Sequence, residues 1–203
     1  MKHYLLLIGA AVIAVSARGS VMYSIDPSTS NVLPGSMDAF DVVLTNMGSA
    51  ITVGTFTFEV TVAGTAVSFT GADFTPTSFP YIFAGTSVDE DFSIPLYSSI
   101  VPSQILDASD SSDSAGVTLA SGESLSLGQV LFSVSKTATV GSSFAVTFTS
   151  SQGTNSLSSP TGGNIPINTL NSGMINITPE PSSAVLLIAG LTWLSFKARS
   201  RRR

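Results

Sequence analysis

Thr55-Phe56-Thr57-Phe58-Glu59-Val60-Thr61-Val62 alternates an apolar residue with a polar one over eight positions. That period of two is what a strand shows when one face meets a core and the other meets solvent. Phe40, Val42 and Leu44 repeat it upstream, and Val130, Phe132, Val134 and Phe144, Val146, Phe148 repeat it downstream. Weaker strand segments are expected at Val21–Ile25, Val67–Phe69, Phe92–Leu96, Val117–Leu119 and Met174–Ile177. The stretches between them are rich in Gly, Ser, Thr, Asn and Pro, which suit turns. No segment in this region reads as a capped amphipathic helix. The chain is therefore expected to be all-β: an antiparallel β-sandwich of about eight or nine strands, with a jelly roll as the alternative.

The ends have a different composition. Lys2 and His3 precede an apolar run, Tyr4–Val15, which leads to Val15-Ser16-Ala17. A basic start, a short apolar stretch and a small residue at the cut are the marks of a secretory signal peptide. Twelve helical residues reach only about 18 Å, short of a hydrocarbon core of about 30 Å. Residues 1–17 are assigned to the signal helix, 18–178 to the sandwich and 179–203 to a tail. The tail reads Pro179-Glu180-Pro181-Ser182-Ser183, then the apolar run Ala184–Phe196, then Lys197, Arg199, Arg201, Arg202 and Arg203. Basic residues after an apolar helix favour the cytoplasmic side, and so short a helix suggests a transient tether.

Pro179-Glu180-Pro181, the helix containing Gly190 and the arginines Arg199, Arg201, Arg202 and Arg203 resemble the PEP-CTERM sorting signal. The resemblance implies export across the inner membrane of a Gram-negative-type cell, with signal peptidase and a membrane-embedded exosortase as processing partners. It also implies removal of the tail near Pro179-Glu180-Pro181 and delivery to the cell surface or an extracellular matrix. A permanently membrane-anchored adhesin is the other reading of such a tail.

The domain between carries a second resemblance. Ile25-Asp26-Pro27, Val32-Leu33-Pro34-Gly35 and a strand ending at Asn46 are similar to the opening of a cohesin domain. Val53–Val60, the segment Ser126–Val134, the turn Ala138–Phe144 and the closing Ser172–Ile177 are similar to its later strands. This likeness implies a sandwich with a flat sheet face that docks a partner, with a generic adhesin or carbohydrate-binding sandwich as the alternative.

Composition removes several kinds of chemistry. Of 203 residues none is cysteine, and the one histidine, His3, lies in the signal segment. Ser-His-Asp and Cys-His nucleophiles are then unavailable to the exported chain. Twelve of the thirteen acidic residues lie between Gly19 and Thr178, against Lys136 alone among the basic ones. That charge repels phosphate backbones, so no nucleic-acid partner is expected.

What remains are three weak candidates. Asp107, Asp110 and Asp113 recur every third residue in a stretch read as a small-residue loop. Hard oxygen ligands so placed would suit calcium, although a solubilising loop is the alternative and no other cofactor is expected. Asp89-Glu90-Asp91 is the densest acidic cluster, read as a solvated face. Tyr81, in Phe79-Pro80-Tyr81-Ile82-Phe83, is the candidate platform for stacking a sugar, with core packing as its other role. The function expected is that of a non-enzymatic surface or matrix module binding polysaccharide or a surface protein. A carbohydrate-active enzyme using only carboxylates is the rival.

Overall fold

The computed structural model describes residues 20–88, 98–100, 102–149 and 154–180. The signal segment, the Phe92–Leu96 strand, the Asp89–Asp91 cluster, Pro181 and the arginines of the tail lie outside the described residues.

Fourteen strands form among these residues: β1 (Val21–Asp26), β2 (Thr29–Val32), β3 (Met37–Asn46), β4 (Ile51–Val53), β5 (Thr55–Val62), β6 (Val67–Asp73), β7 (Ser98–Ile100), β8 (Ile105–Ser111), β9 (Val117–Leu119), β10 (Ser124–Val134), β11 (Ser143–Phe148), β12 (Ser156–Ser158), β13 (Ile167–Asn171) and β14 (Gly173–Ile177). They build a five-stranded sheet in the order β13-β1-β3-β10-β6. A seven-stranded sheet packs against it, in the order β2-β14-β11-β5-β8-β7 with β12 also pairing β5. A third pair, β4-β9, closes one end.

The alternating pattern does what its period dictates. Phe56, Phe58, Val60 and Val62 of β5 point inward with Leu106, Val146, Phe148 and Ile175 of their sheet. They meet Tyr23, Phe40, Val42, Leu44, Phe69, Val130 and Phe132 of the other sheet. Each large side chain so buried contributes about 1.5–3 kcal/mol. Phe40 lies 6.0 Å from Phe132 and 6.2 Å from Phe69 between ring centroids, Phe56 5.6 Å from Phe83, distances at which aromatic pairs add attraction beyond area. Tyr23 is wholly buried, and its hydroxyl crosses the sandwich to donate to the Ser156 carbonyl at 3.0 Å. Burial pushes its phenol pKa up, so it stays neutral.

Asn46, where β3 ends, is also fully buried. Its amide donates to the carbonyls of Ser49, Leu119 and Ala120 at 2.9–3.1 Å, and its Oδ1 accepts the Gly48 N–H at 3.0 Å. One side chain thereby ties the β3–β4 turn to the end of β9.

The sandwich expected from sequence is present, with two corrections. The strands outnumber the eight or nine expected, because short or half-exposed strands such as β2, β4, β12 and β13 carry little hydrophobic contrast. Nor is the sandwich purely antiparallel: β1 pairs β13, and β2 pairs β14, in parallel. The cause is a double change of sheet. The first strand pair moves from one sheet to the other across Pro27-Ser28, where proline offers no N–H to continue the ladder. The last pair does the same across Ser172, and the two run side by side.

At that second crossing the backbone of Gly173 comes so near Ile25 that a Cβ on it would lie 2.7 Å from Cγ2 and 3.1 Å from Cβ of Ile25. Gly173→Ala is therefore expected to destabilise by about 1–3 kcal/mol through overpacking. Gly71→Ala, in a strand with open space around it, is expected to change stability by less than about 1 kcal/mol. Equilibrium denaturant unfolding of both variants measures the difference.

Candidate functional site

Alternation that sends phenylalanines inward sends the other half of β5 outward. Thr55, Thr57, Glu59 and Thr61 line the outer face of the seven-stranded sheet. Opposite them in β8 stand Ser111, Ser109, Asp107 and Ile105. On the other flank of β5, β11 pairs as far as Phe148 and β12 takes over from Ser156 to Ser158. Asn155 spans the break, its Oδ1 accepting the Glu59 N–H at 3.0 Å and its amide donating to the Thr149 carbonyl at 2.5 Å.

The hydroxyls on this face are tied to one another. Thr55 Oγ1 lies 2.5 Å from Ser158 Oγ, and Thr61 Oγ1 2.9 Å from Thr147 Oγ1. Cross-strand pairs of this kind stabilise a sheet and leave a hydroxyl-rich surface. Glu59 and Asp107 interrupt it. They are register partners, so their Cβ atoms stand about 4.5–5.5 Å apart, which puts Glu59 within reach of a hydrogen bond to the Asp107 carboxyl. Desolvation holds the Asp107 carboxyl above the ordinary carboxylate range, aided by that hydrogen bond and by repulsion from Glu59.

The three aspartates expected to gather in a loop do not gather. Asp107 and Asp110 belong to β8, not to a loop. Three residues apart in a strand, they face opposite sides. Asp107 points out, whereas Asp110 points in beside Phe56 and is buried. Asp113 is exposed beyond the strand, its N–H held by the Thr86 carbonyl. Among the described residues no three His, Cys, Asp or Glu side chains could together hold a metal ion.

Tyr81 is likewise not a platform. It is buried against Phe56, Phe74 and Phe83, and its hydroxyl donates to Asp110 Oδ2 at 2.5 Å. A buried carboxylate needs such a donor, and the sequence separation of 29 residues hid the pairing. The exposed large apolar side chains among the described residues are Met37, Met47, Val140 and Met174; none is aromatic. Pro179 and Glu180 are exposed just beyond the end of β14.

Glu59–Asp107 is an acidic pair with the residue types of glycosidase chemistry. Its two residues are direct register partners on one sheet face, where that chemistry sets its carboxyls on either side of a sugar held in a cleft. They also stand on a sheet face among serines and threonines, with no aromatic to position a ring.

No family model matches the chain, and no curated protein matches it. Solved structures do. The sixth cohesin of scaffoldin B from Acetivibrio cellulolyticus, solved in complex with a Cel5 dockerin mutant, is similar over 78% of this chain and 99% of that one, with a TM-score of 0.55 and 18% identity. A cohesin from a type I cohesin–dockerin complex of Clostridium thermocellum matches over 78% and 99%, with a TM-score of 0.56 and 12% identity. A non-cellulosomal cohesin from the archaeon Archaeoglobus fulgidus matches over 83% and 96%, at 0.53 and 15%. The fold of the described domain is cohesin-like.

The Glu59–Asp107 contact predicts a pH dependence. A carboxyl whose folded pKa is raised favours folding more as pH falls through that pKa, and this contribution is lost as pH rises. Asp107→Asn is therefore expected to melt at a higher temperature than the wild type at pH 7. The gap should narrow as pH falls toward the ordinary carboxylate value, about 4. Melting curves across that range measure it.

Proposed function

We propose that the chain is an exported, non-enzymatic protein-binding module, a cohesin-like domain whose docking surface is the outer face of its seven-stranded sheet. The observation that carries this reading is that face itself: rich in hydroxyls, internally hydrogen-bonded, with Glu59 and Asp107 paired across β5 and β8. A face already ordered loses little conformational entropy on association. Paired carboxylates at its centre suit a partner that presents a basic side chain, since an arginine fork would engage both and relieve their repulsion.

Several features support a protein partner over polysaccharide. Sugar-binding faces present aromatic rings, and no aromatic side chain among the described residues is exposed. Two of the solved structures similar in fold were obtained with dockerins bound. The non-enzymatic reading rests on the absence of cysteine, on the place of the one histidine, His3, in the signal segment, and on the sheet-face setting of the acidic pair.

Delivery follows from the ends of the sequence. The signal segment opens export, and the PEP-CTERM-like tail holds the domain at the inner membrane until an exosortase releases it to the surface or matrix.

Two experiments test this. A photo-crosslinking residue at Thr57, on the proposed face, should yield a discrete adduct with one protein in the producing cells, and Glu59→Arg should abolish it. The same probe at Ser133, on the five-stranded sheet, should yield none. Adducts from Ser133 alone, or from both sites alike, would remove the docking face. Intact-mass analysis of released protein tests delivery: the species should lack residues 1–17 and the arginine cluster, and should disappear in cells without exosortase. Retention of Arg199–Arg203 in a species that stays with the cells, with none released, would mean a permanent anchor.

A further inference from the structure

The opposite face of the molecule holds an acidic feature that docking does not use. Across the outer side of the five-stranded sheet, Asp26 of β1 is in register with Asp41 of β3, Asp41 with Gln129 of β10, and Gln129 with Asp73 of β6. Three aspartates thus stand in one row with a glutamine. Among the described residues Lys136 is the only Lys or Arg, and its side chain lies against Gly35, in the turn before β3.

Asp41 is the centre of the row and is fully buried. Its Oδ2 accepts the backbone N–H groups of Thr77 and Ser78 at 2.8 and 2.7 Å, with the Thr77 hydroxyl at 3.4 Å. This pins the loop after β6 over the sheet. Its Oδ1 is buried with no hydrogen-bond partner. A buried carboxylate oxygen that accepts nothing is unfavourable, and the neighbour in register on β1 is another carboxylate, with Cβ atoms about 4.5–5.5 Å apart. A proton would quiet one charge. A cation would satisfy the orphaned oxygen and the repulsion together.

We propose that Asp41 and Asp26 bind a calcium ion on the outer face of the five-stranded sheet, with Gln129 as a further oxygen donor. The available donors are carboxylate and amide oxygens, which are hard ligands, and only part of a coordination shell comes from side chains. Calcium tolerates such an irregular, partly hydrated shell, whereas magnesium demands near-ideal octahedral geometry. The ion would bridge β1 and β3 at the point where the chain leaves one sheet for the other, and so brace the crossing that closes the sandwich.

Titration calorimetry and thermal unfolding of the full chain, stripped with EDTA and then given calcium chloride, test this. One saturable site is expected, with a melting temperature that climbs as calcium rises. Asp41→Asn should remove the response, and Asp107→Asn, on the other sheet, should leave it intact. Asp26→Asn should weaken affinity at least tenfold. This variant leaves the loop contacts of Asp41 in place, so it decides the matter if Asp41→Asn fails to fold. No response of the wild-type chain at millimolar calcium would overturn the site, as would a response that survives in Asp26→Asn at full affinity. An equal response to magnesium would overturn the choice of ion.

Discussion

Everything in this sandwich depends on how the two ends of the domain lie against each other. β1 and β13 run in parallel on one sheet, β2 and β14 in parallel on the other. Each of these two strand pairs changes sheet within a few residues, so they clip the layers together along one side. Without that clip, β3 and β11 would become sheet edges, and the Phe40–Phe132 and Phe56–Phe58 layers would be held by packing alone. The close contact between Gly173 and Ile25 is where the clip is tightest. A cohesin-like sandwich without cysteine has no disulfide to do this work.

The same architecture gives the molecule two unlike outer faces. On the seven-stranded side hydroxyls pair with one another, and Glu59 and Asp107 stand in register on the outer face. On the five-stranded side the loop after β6 folds down and buries Asp41. One face is thereby covered while the other is not, since among the described residues no loop comparable to Thr77 and Ser78 packs over β5 and β8.

How much of this was legible follows from what carries a signal. β3, β5, β10 and β11 were readable because Phe, Val and Leu recur at every second position, over eight residues in β5 and five in each of the others, and the end of β3 at Asn46 was read correctly. β8 was not, because its inward residues are Leu106, Ala108 and Asp110 and its outward ones are mostly Asp and Ser, which leaves little hydrophobic contrast. The misreading of β8 as a loop produced the misplaced calcium candidates. Tyr81 and Asp110 explain each other only when β8 is a strand and the Tyr81 loop lies against its inner face. Glu59 with Asp107, and Asp26 with Asp41, are likewise joined by strand register, which spacing in the sequence does not reveal.

The central claim is that recognition belongs to the outer face built on β5 and β8. Hydrogen–deuterium exchange of the complex recovered with its crosslinked partner, set against the free protein, tests it most directly. The account predicts slowed exchange concentrated in β5, β8 and β12, with β3 and β10 unchanged. Protection centred on β3, β10 or the loop around Thr77 would contradict it.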